Sequence, residues 1–388
     1  MIAEALSRTL VSLRRALHEH PELALEEVKT AETLERTLRD LGISDIQRIG
    51  KTGIVARVRG RRSSAPLVAV RGDIDALPIQ EATGLPFASR VAGVMHACGH
   101  DVHAAWAVGA AALLVEQPAA GDVLVVLQPA EETGKGALSI IESGALDGVR
   151  AIFGAHVDRR FPVGQVVADE GPLAASADMF EIEIVGAGAH AARPHEARDP
   201  IVAAAAVITA LQSIVARRLN PATPGVVTVA TIHAGTANNV IPDRAVMAGT
   251  VRAVDRQSRS LMLDELRRLT MSVASGFGVE ARVTIDEGTP PIVNPAETTR
   301  WARAAASAVV GSANVVPLGF LNMAAEDFAH YMERIPGCFL RVGAREPGGD
   351  VIAAHSPRFY AAEESIGVGA AVLAECARTA SRELESNP

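Results

Sequence analysis

The nine residues from Met95 to His103 constrain this chain more than any other stretch of its sequence. They hold three histidines, one cysteine and one aspartate, with Gly99 between Cys98 and His100. Thiolate, imidazole and carboxylate groups are the usual protein ligands of zinc and related divalent metals. A Cys-x-His pair cannot close a four-ligand site alone, so the fold must bring further ligands from elsewhere in the chain. That arrangement is typical of an enzyme rather than of a compact zinc finger.

The composition argues against several other classes of protein. A chain of 388 residues is long for one hydrophobic core, so two domains are expected. The net charge of −8 argues against nucleic acid as a partner. No apolar run of 18 residues predicts a membrane-spanning helix, and the N-terminus has no basic region typical of a secretory signal. Three cysteines are too few for a disulfide scaffold, which favours the cytoplasm.

Strands alternate with helices in the first part of the chain. Leucines at helical spacing predict one helix over residues 6–17 and a second from near Pro21 to Gly42. Short apolar runs predict buried strands at 54–58, 67–70 and 123–127, and a helix is expected at 104–116. This alternation predicts an α/β domain with a largely parallel sheet. Carboxylates follow two of these strands, where active sites of such sheets are built: Asp73, Asp75, Glu131 and Glu132.

The region from about 178 to 286 has a different order. Its pattern predicts a strand, a helix, two strands, a helix and a strand, which is the β-α-β-β-α-β or ferredoxin-like arrangement. Afterwards the α/β pattern resumes, with a helix near 297–310, a strand at 338–342 and a final helix from about Glu363. We therefore expect one domain inserted in another. Residues 1–176 and 288–388 would form the catalytic metal-binding domain, and residues 177–287 the inserted domain.

Further candidate ligands lie downstream of the Cys98 pair: Glu131, Glu132, His156 and His355. Each has an ordinary alternative explanation, since a single cysteine is often a small buried hydrophobe and adjacent glutamates often form a solvated surface pair. However, the two glutamates directly follow an apolar strand and lead into a Gly-rich loop. Adjacent side chains point in different directions, so one carboxylate can bind metal while the other faces a reacting water. Metal-assisted hydrolysis needs that division of labour.

Ten short segments, in order over nearly the whole chain, resemble one family. In these segments the chain is similar to the dinuclear-metal amidohydrolases, which include aminoacylases, hippurate hydrolases, indole-acetyl-amino-acid hydrolases and related carboxypeptidases. The Cys-Gly-His-Asp form at 98–101 resembles the hippurate and auxin-conjugate branch. The matching segments are residues 17–23, 71–78, 95–103, 128–132, 154–157, 188–191, 235–242, 249–252, 326–328 and 355–357.

The resemblance implies a fold and a set of site residues. The fold is a zinc-exopeptidase-like catalytic domain with an inserted α+β ferredoxin-like domain, which serves as a lid and in dimerisation. Glu131 would be the general base, and two divalent ions (zinc, manganese, cobalt or nickel) would be bound. The implied metal ligands are Cys98, His100, Glu132, His156 and His355. The implied substrate-binding residues are His190, Asn239 and Arg252, with His190 also catalytic, and supporting carboxylates are expected at Asp73, Asp75 and Asp101.

The activity implied by the resemblance is metal-dependent hydrolysis of the amide bond of N-acyl-L-amino acids. The products would be a carboxylic acid and an amino acid, and the enzyme would be a homodimer through the inserted domain. One segment departs from the family pattern, because residues 158–162 (Asp-Arg-Arg-Phe-Pro) are more charged than the apolar or aromatic stretch expected there. Ala324 and Ala325 also replace the expected serine or glycine.

Two other interpretations stay open. The first, within the hydrolases, is a dipeptidase or carboxypeptidase acting on small peptides. The second is a non-catalytic metal-binding or dinucleotide-binding protein, because residues 186–191 fit a relaxed G-x-G-x-x-G/A pattern after a predicted strand. Arg193-Pro194 and Asp199-Pro200 separate those glycines from the next helix, which disfavours dinucleotide binding, and an intact Glu131 disfavours an inactive relative.

Overall fold

The computed structural model describes residues 2–386, and the chain divides into two compact units. The first unit contains the chain up to Gly171, residues Asn294–Phe320 and the chain from Asp327 onward. The second unit contains Pro172–Val293 and Leu321–Glu326. Two short strands lie where the chain passes from one unit to the other, β7 (Gly171–Ala174) and β14 (Ile292–Asn294).

A seven-stranded sheet forms the centre of the first unit, in the order β1-β2-β4-β3-β5-β15-β6. Strand β3 runs parallel to β4 and β5, and β15 runs parallel to β5, so four central strands end at the same edge. The strands are β1 (Ile46–Ile49), β2 (Gly53–Val58), β3 (Leu67–Asp73), β4 (Val123–Gln128), β5 (Val149–Pro162), β6 (Val166–Val167) and β15 (Gly337–Arg345). The mixed α/β class predicted from the sequence is confirmed.

Helices surround this sheet, and the alanine-rich sequence lets them approach closely. They are α1 (Glu4–Glu19), α2 (Val28–Asp40), α3 (His100–Glu116), α4 (Gly136–Glu142), α7 (Ala296–Val310), α8 (Ala329–Met332) and α9 (Glu364–Ser386). Helix α3 is buried along most of its length, and it packs against α9. At that contact a Cβ on Gly369 would lie 2.1 Å from the ring of Trp106, which is fully buried. The small residue therefore allows the helices to meet.

The second helix begins later than the sequence pattern predicts. It starts at Val28 rather than near Pro21, and Leu25 before it has a positive φ of 67°. The carboxylate of Glu22 accepts the backbone N–H of Thr30 at 2.8 Å and that of Lys29 at 3.3 Å. Those groups are free donors of the first helical turn, so Glu22 acts as a cap from outside the helix. The prediction of the second helix from its apolar spacing therefore included this capping segment, which is not helical.

The second unit contains a four-stranded antiparallel sheet in the order β10-β12-β8-β13. Along the chain its strands and helices follow as strand, helix, strand, strand, helix, strand. They are β8 (Ala177–Val185), α5 (Pro200–Ser213), β10 (Gly225–Ala234), β12 (Arg244–Ala253), α6 (Arg256–Gly276) and β13 (Glu280–Thr289). A separate two-stranded ribbon pairs β9 (Ala189–His190) with β11 (Val240–Ile241). One face of the four-stranded sheet packs on α5 and α6 to form the core of this unit.

One helical segment of the described chain, Pro200–Arg218, is long and apolar enough to cross a membrane by length and composition. Its Ala203, Val207 and Leu211 lie in the core of the second unit. A core helix of a soluble protein passes the same test, so this single segment is weak evidence for a membrane span.

Candidate metal centre

Gly99 fixes the local geometry at the start of α3, between two of the predicted ligands. Its φ is +92°, which lies in the left-handed region, and a Cβ there would come within 2.4 Å of Val157 Cγ2. Glycine is therefore required on both conformational and steric grounds. The turn places Cys98 just before the helix and His100 in its first turn.

All five predicted metal ligands converge in the first unit. Their donor atoms form two groups, each with mutual distances within 4.8 Å. Cys98 belongs to both groups. The first, here called the histidine triad, is Cys98, His100 and His156; the second, the carboxylate triad, is Cys98, Glu132 and His355. Cys98 Sγ lies 3.2 Å from His156 Nε2, and His355 Nε2 lies 3.4 Å from Glu132 Oε2.

The donor atoms in these triads fit divalent cations. His100 Nε2 and Glu132 Oε1 are buried and have no hydrogen-bond partner, which costs about 1–3 kcal/mol for each such polar atom. His156 Nδ1 contacts the carbonyl oxygen of Val157 at 2.7 Å, and His100 Nδ1 contacts Asp75 Oδ1 at 3.1 Å. Because each Nδ1 is engaged, each Nε2 faces the cluster as a ligand atom. Sulfur, nitrogen and oxygen donors together suit zinc and its neighbours.

The buried environment shifts the proton affinities of these groups. Burial raises the pKa of the Cys98 thiol well above its ordinary value, and the nearby Glu132 adds to that effect. Burial also lowers the pKa of His156 far below the ordinary value of histidine. His100 is different: burial lowers its pKa, but Asp73, Asp75 and Cys98 raise it well above the ordinary value overall. Cations and protons therefore compete for the same negatively charged cluster.

The predicted supporting carboxylates fall in two places. Asp75 contacts His100 through one oxygen and accepts the N–H of Glu132 at 3.0 Å through the other. Asp73 lies 2.6 Å from His103 Nδ1 and is paired with the buried Arg71.

Asp101 faces elsewhere: its carboxylate accepts from Arg14 at 2.6 Å and contacts His18 Nδ1 at 2.7 Å. Asp75 thus orients two predicted ligands at once, whereas Asp101 ties α3 to α1.

Glu131 lies beside the cluster, at the start of a short 3₁₀ turn. One of its oxygens is 3.9 Å from His100 Nε2, and the other accepts the backbone N–H of Asp327 at 3.2 Å. The preceding Ala130 has a positive φ of 54°, and its N–H donates to the buried carboxylate of Glu27 at 2.9 Å. Sequence reasoning identified Glu131 but missed the supporting roles of Asp327 and Glu27. Asp327 lay in a segment that resembled the family, whereas no motif marked Glu27.

The predicted substrate-binding residues all lie in the second unit. His190 on β9 pairs with Val240 on β11, and its exposed ring accepts the N–H of Ala192 at 3.0 Å. The carbonyl oxygen of Asn239 accepts the N–H of Ala191 at 3.0 Å, so Asn239 is a close neighbour of His190. Arg252 lies apart from them on β12 and is half-buried. The fold thus brings two of the three into one ribbon.

The sequence profile of Peptidase family M20/M25/M40 matches residues 69–379. The chain belongs to this family. It is 41% identical over 387 residues to an N-acetylcysteine deacetylase of Bacillus subtilis (strain 168), a match that covers 97% of this chain and 98% of that protein. It is 39% identical to the IAA-amino acid hydrolase ILR1-like 4 of Arabidopsis thaliana, over 97% of this chain and 87% of that protein.

A solved structure shares the M20 fold over the full length. The YXEP protein of Bacillus subtilis, described as a dinuclear metal binding peptidase from the M20 family, is 38% identical with a TM-score of 0.87. The match covers 98% of this chain and 99% of that one. The resemblance found in the sequence motifs is confirmed. So is the predicted enzyme class, and this M20 member is a metal-dependent amidohydrolase.

Proposed function

We propose that this M20 enzyme hydrolyses the amide bond of N-acyl-L-amino acids with two divalent metal ions. The observation that carries the proposal is the pair of triads that share Cys98, with Glu131 beside them. The named activities of the deacetylase and IAA-amino acid hydrolase relatives support this substrate class. Histidine and carboxylate triads would each hold one ion. When bound, the two ions lower the pKa of water and polarise the amide carbonyl.

Glu131 is proposed as the general base and then the general acid. Its carboxylate removes a proton from the attacking water as the new C–O bond forms, and it later delivers that proton to the amine nitrogen as the C–N bond breaks. The N–H of Asp327 binds one oxygen of Glu131. That bond restricts the rotation of the carboxylate. Glu132 would remain a metal ligand throughout.

The second unit is proposed as the inserted lid, residues 177–287, that supplies substrate contacts. Arg252 would bind the α-carboxylate of the substrate, because a planar guanidinium can donate two parallel hydrogen bonds to a carboxylate. Asn239 would assist there. His190 would stabilise the oxyanion that develops on the carbonyl oxygen. The exposed ring of His190 is accessible for that contact.

The same unit is proposed as the dimerisation surface. Strand β10 is at the edge of its sheet, with Val226 and Ile232 exposed, and Ile201 and Val202 are exposed at the start of α5. A free strand edge can pair with its own copy across a two-fold axis, and exposed apolar side chains favour burial there. A cytoplasmic location is also proposed, since the three cysteines of the chain are free and buried.

A peptidase activity is the second candidate. The YXEP protein, which matches over the full length, is described as a peptidase. A dipeptide presents the same amide and α-carboxylate as an N-acyl amino acid, but it also carries a charged amino group. A preference for dipeptides would therefore require an acceptor for that ammonium group.

The test is a hydrolysis screen with metal-free protein and protein supplied with zinc, manganese, cobalt or nickel. The substrates are acetyl-, benzoyl- and indole-acetyl-amino acids, with matched dipeptides of the same amino acids. We expect metal-dependent release of the free amino acid from at least one acyl series, with dipeptides cleaved more slowly. Faster cleavage of dipeptides would favour the peptidase, and full turnover without metal would refute the proposed mechanism.

A further inference from the structure

Arg159 is a fully buried cation that lies three residues after His156 on β5. Its guanidinium donates to both carboxylate oxygens of Glu346, at 2.7 and 3.1 Å. It also donates to the backbone carbonyl oxygens of Asp350 at 2.8 Å and Tyr360 at 3.1 Å, and it lies 4.2 Å from the centre of the Tyr360 ring. A buried arginine with this many partners holds the segment that it binds in one conformation. Breaking any of these hydrogen bonds would leave a buried polar group without a partner, which costs free energy.

All these partners belong to one irregular segment, residues 346–363, here called the His355 loop. It connects the end of β15 at Arg345 with the start of α9 at Glu364. His355 lies in its middle with a side chain that is 54% exposed and a positive φ of 66°. A left-handed conformation is unfavourable for a residue with a Cβ and persists only when its surroundings hold it. The loop therefore needs external support to present His355 to the carboxylate triad.

Arg159 supplies that support on both sides of His355. Glu346 and Asp350 precede the histidine, and Tyr360 follows it. The hydroxyl of Tyr360 also donates to Glu346, which closes a ring of contacts around the guanidinium. A further anchor is the N–H of His355 itself, which donates to the carbonyl oxygen of Ala97 at 2.8 Å. Arg159 thus binds the two flanks of the loop, and Ala97 holds its centre next to Cys98.

We propose that Arg159 is a positioning residue for the metal centre, one that sets the affinity of the carboxylate triad by holding His355 in place. The inference rests on the proposed function, since it takes the two triads as metal sites. It also gives a role to Arg159, one residue of the charged segment at 158–162 that departs from the family pattern. Strand β5 carries His156 for one triad and the clamp for His355 of the other, so a single strand aligns both.

Arg160 provides a matched control, because it is the adjacent arginine on the same strand. Its guanidinium pairs with Asp158 at 2.6 Å and lies 3.6 Å from the centre of the Phe320 ring. It is also more exposed, at 40% of its side chain. The substitutions Arg159→Met and Arg160→Met therefore remove the same charge and the same hydrogen-bonding group from neighbouring positions. We expect only the first substitution to affect the His355 loop.

The experiment titrates metal-free protein with Co²⁺ and follows the thiolate-to-cobalt charge-transfer band, with a chromophoric chelator as competitor. We expect wild type and Arg160→Met to bind two ions with similar affinities. Arg159→Met should keep one ion and weaken the other roughly 10- to 100-fold, the range found when groups that orient ligands are removed. The milder Glu346→Gln, which keeps the size of the side chain, should weaken the same ion less. Arg159→Lys should restore part of the affinity.

Hydrogen–deuterium exchange of the metal-free proteins separates this inference from the proposed function. Residues 346–360 should exchange faster in Arg159→Met and Glu346→Gln than in wild type, while α3 is unchanged. If wild type bound fewer than two ions, the proposed function would fail, and exchange would still report whether Arg159 holds the loop. If the loop exchanged at the wild-type rate, or if folded Arg159→Met bound both ions normally, the inference would be wrong. An equal loss of metal affinity in Arg160→Met would also overturn the inference.

Discussion

Cys98 belongs to both triads, so its sulfur would be a ligand in each of the two proposed metal sites. A thiolate is softer and more polarisable than an alkoxide, and it is the better ligand for zinc and its neighbours. Cys98→Ser should therefore lower the occupancy of both sites rather than of one. Elemental analysis after dialysis against a weak chelator measures this. Two ions retained at wild-type levels would show that the sulfur is not shared.

Glu131 and Glu132 are adjacent in sequence but have different partners. Glu132 contacts His355 in the carboxylate triad, whereas Glu131 receives the N–H of Asp327. Glu131→Gln should keep both ions and reduce kcat by roughly two to four orders of magnitude, because the base is lost while the shape is retained. Glu132→Gln should instead weaken metal binding. Metal content and kcat are measured on both variants, and a reversed pattern would exchange the two roles.

At the scale of residues, the sequence indicated candidate groups where the chemistry is local. Glu131, Glu132 and His156 were predicted from their places after apolar strands, and the structure places them together with Cys98. Asp101 shows the limit of this reasoning. It directly follows His100, but successive residues of a helix point in directions about 100° apart. Its partners Arg14 and His18 lie 87 and 83 positions away in the sequence, and nothing in the local pattern specifies them.

Helices and strands were predicted well where the spacing of apolar residues defined them. A helix boundary was predicted less well where a side chain from outside the helix determined it. Leu10, Leu13 and Leu17 are buried on one face of α1 as their spacing predicts. The start of α2 was misplaced because Glu22 caps it from outside. The clamp of Arg159 on the His355 loop was missed for the same physical reason. It joins positions almost 200 residues apart, and a lone arginine in a strand carries no signal of its partner.

The contact between α3 and α9 predicts how the fold responds to one added methyl group. Gly369→Ala would place a Cβ against the buried Trp106, and we expect destabilisation by about 1–3 kcal/mol, as for other overpacked cores. Gly367→Ala in the same helix is the control. Its Cβ would meet only Ile2, at 3.4 Å, and replacing a helical glycine should stabilise by about 0.5–1 kcal/mol. Thermal unfolding compares them, and a lower Tm for Gly367→Ala would contradict this packing argument.

The His355 loop should also respond to acid. Hydrogen bonds from Arg159 lower the pKa of Glu346 from its ordinary 4.5 to about 2. A carboxylate with a depressed pKa stabilises the folded state above its unfolded value, and this contribution is lost as pH falls through the folded value. The stability difference between wild type and Glu346→Gln should therefore be constant near neutral pH and shrink between about pH 4.5 and about pH 2. Chemical unfolding of metal-free protein tests this; a difference that grew on acidification would have the wrong sign.

At the scale of the whole molecule, the oligomeric state is the open question for His190, which lies in the second unit. His190 is far in sequence from every proposed ligand, and in a dimer it could serve the partner's site. We predict a homodimer through residues 177–287, measurable by light scattering. Mixing inactive His190→Ala with inactive Glu131→Gln should then restore part of the activity if His190 acts in trans, because one of the two sites in a mixed dimer has both residues intact.

A control for the mixing experiment is subunit exchange between tagged wild-type and tagged variant protein, which shows that mixed dimers form. Activity that stays at background despite proven exchange would assign His190 to its own subunit. A strict monomer would refute both the trans role and the proposed dimer surface at β10. Neither outcome would affect the hydrolase assignment, which rests on the family match over residues 69–379 and on the full-length relatives.

The order of the ligands along the chain has a consequence for biosynthesis. Four of the five proposed ligands precede the second unit, and His355 follows it. At ordinary rates of translation, the roughly 200 residues from His156 to His355 take on the order of 10–40 s to synthesise. During that interval the nascent polypeptide contains all three residues of the histidine triad but only two of the three residues of the carboxylate triad. Cellular metals and oxidants can therefore reach Cys98 before His355, the last proposed ligand in the chain, leaves the ribosome.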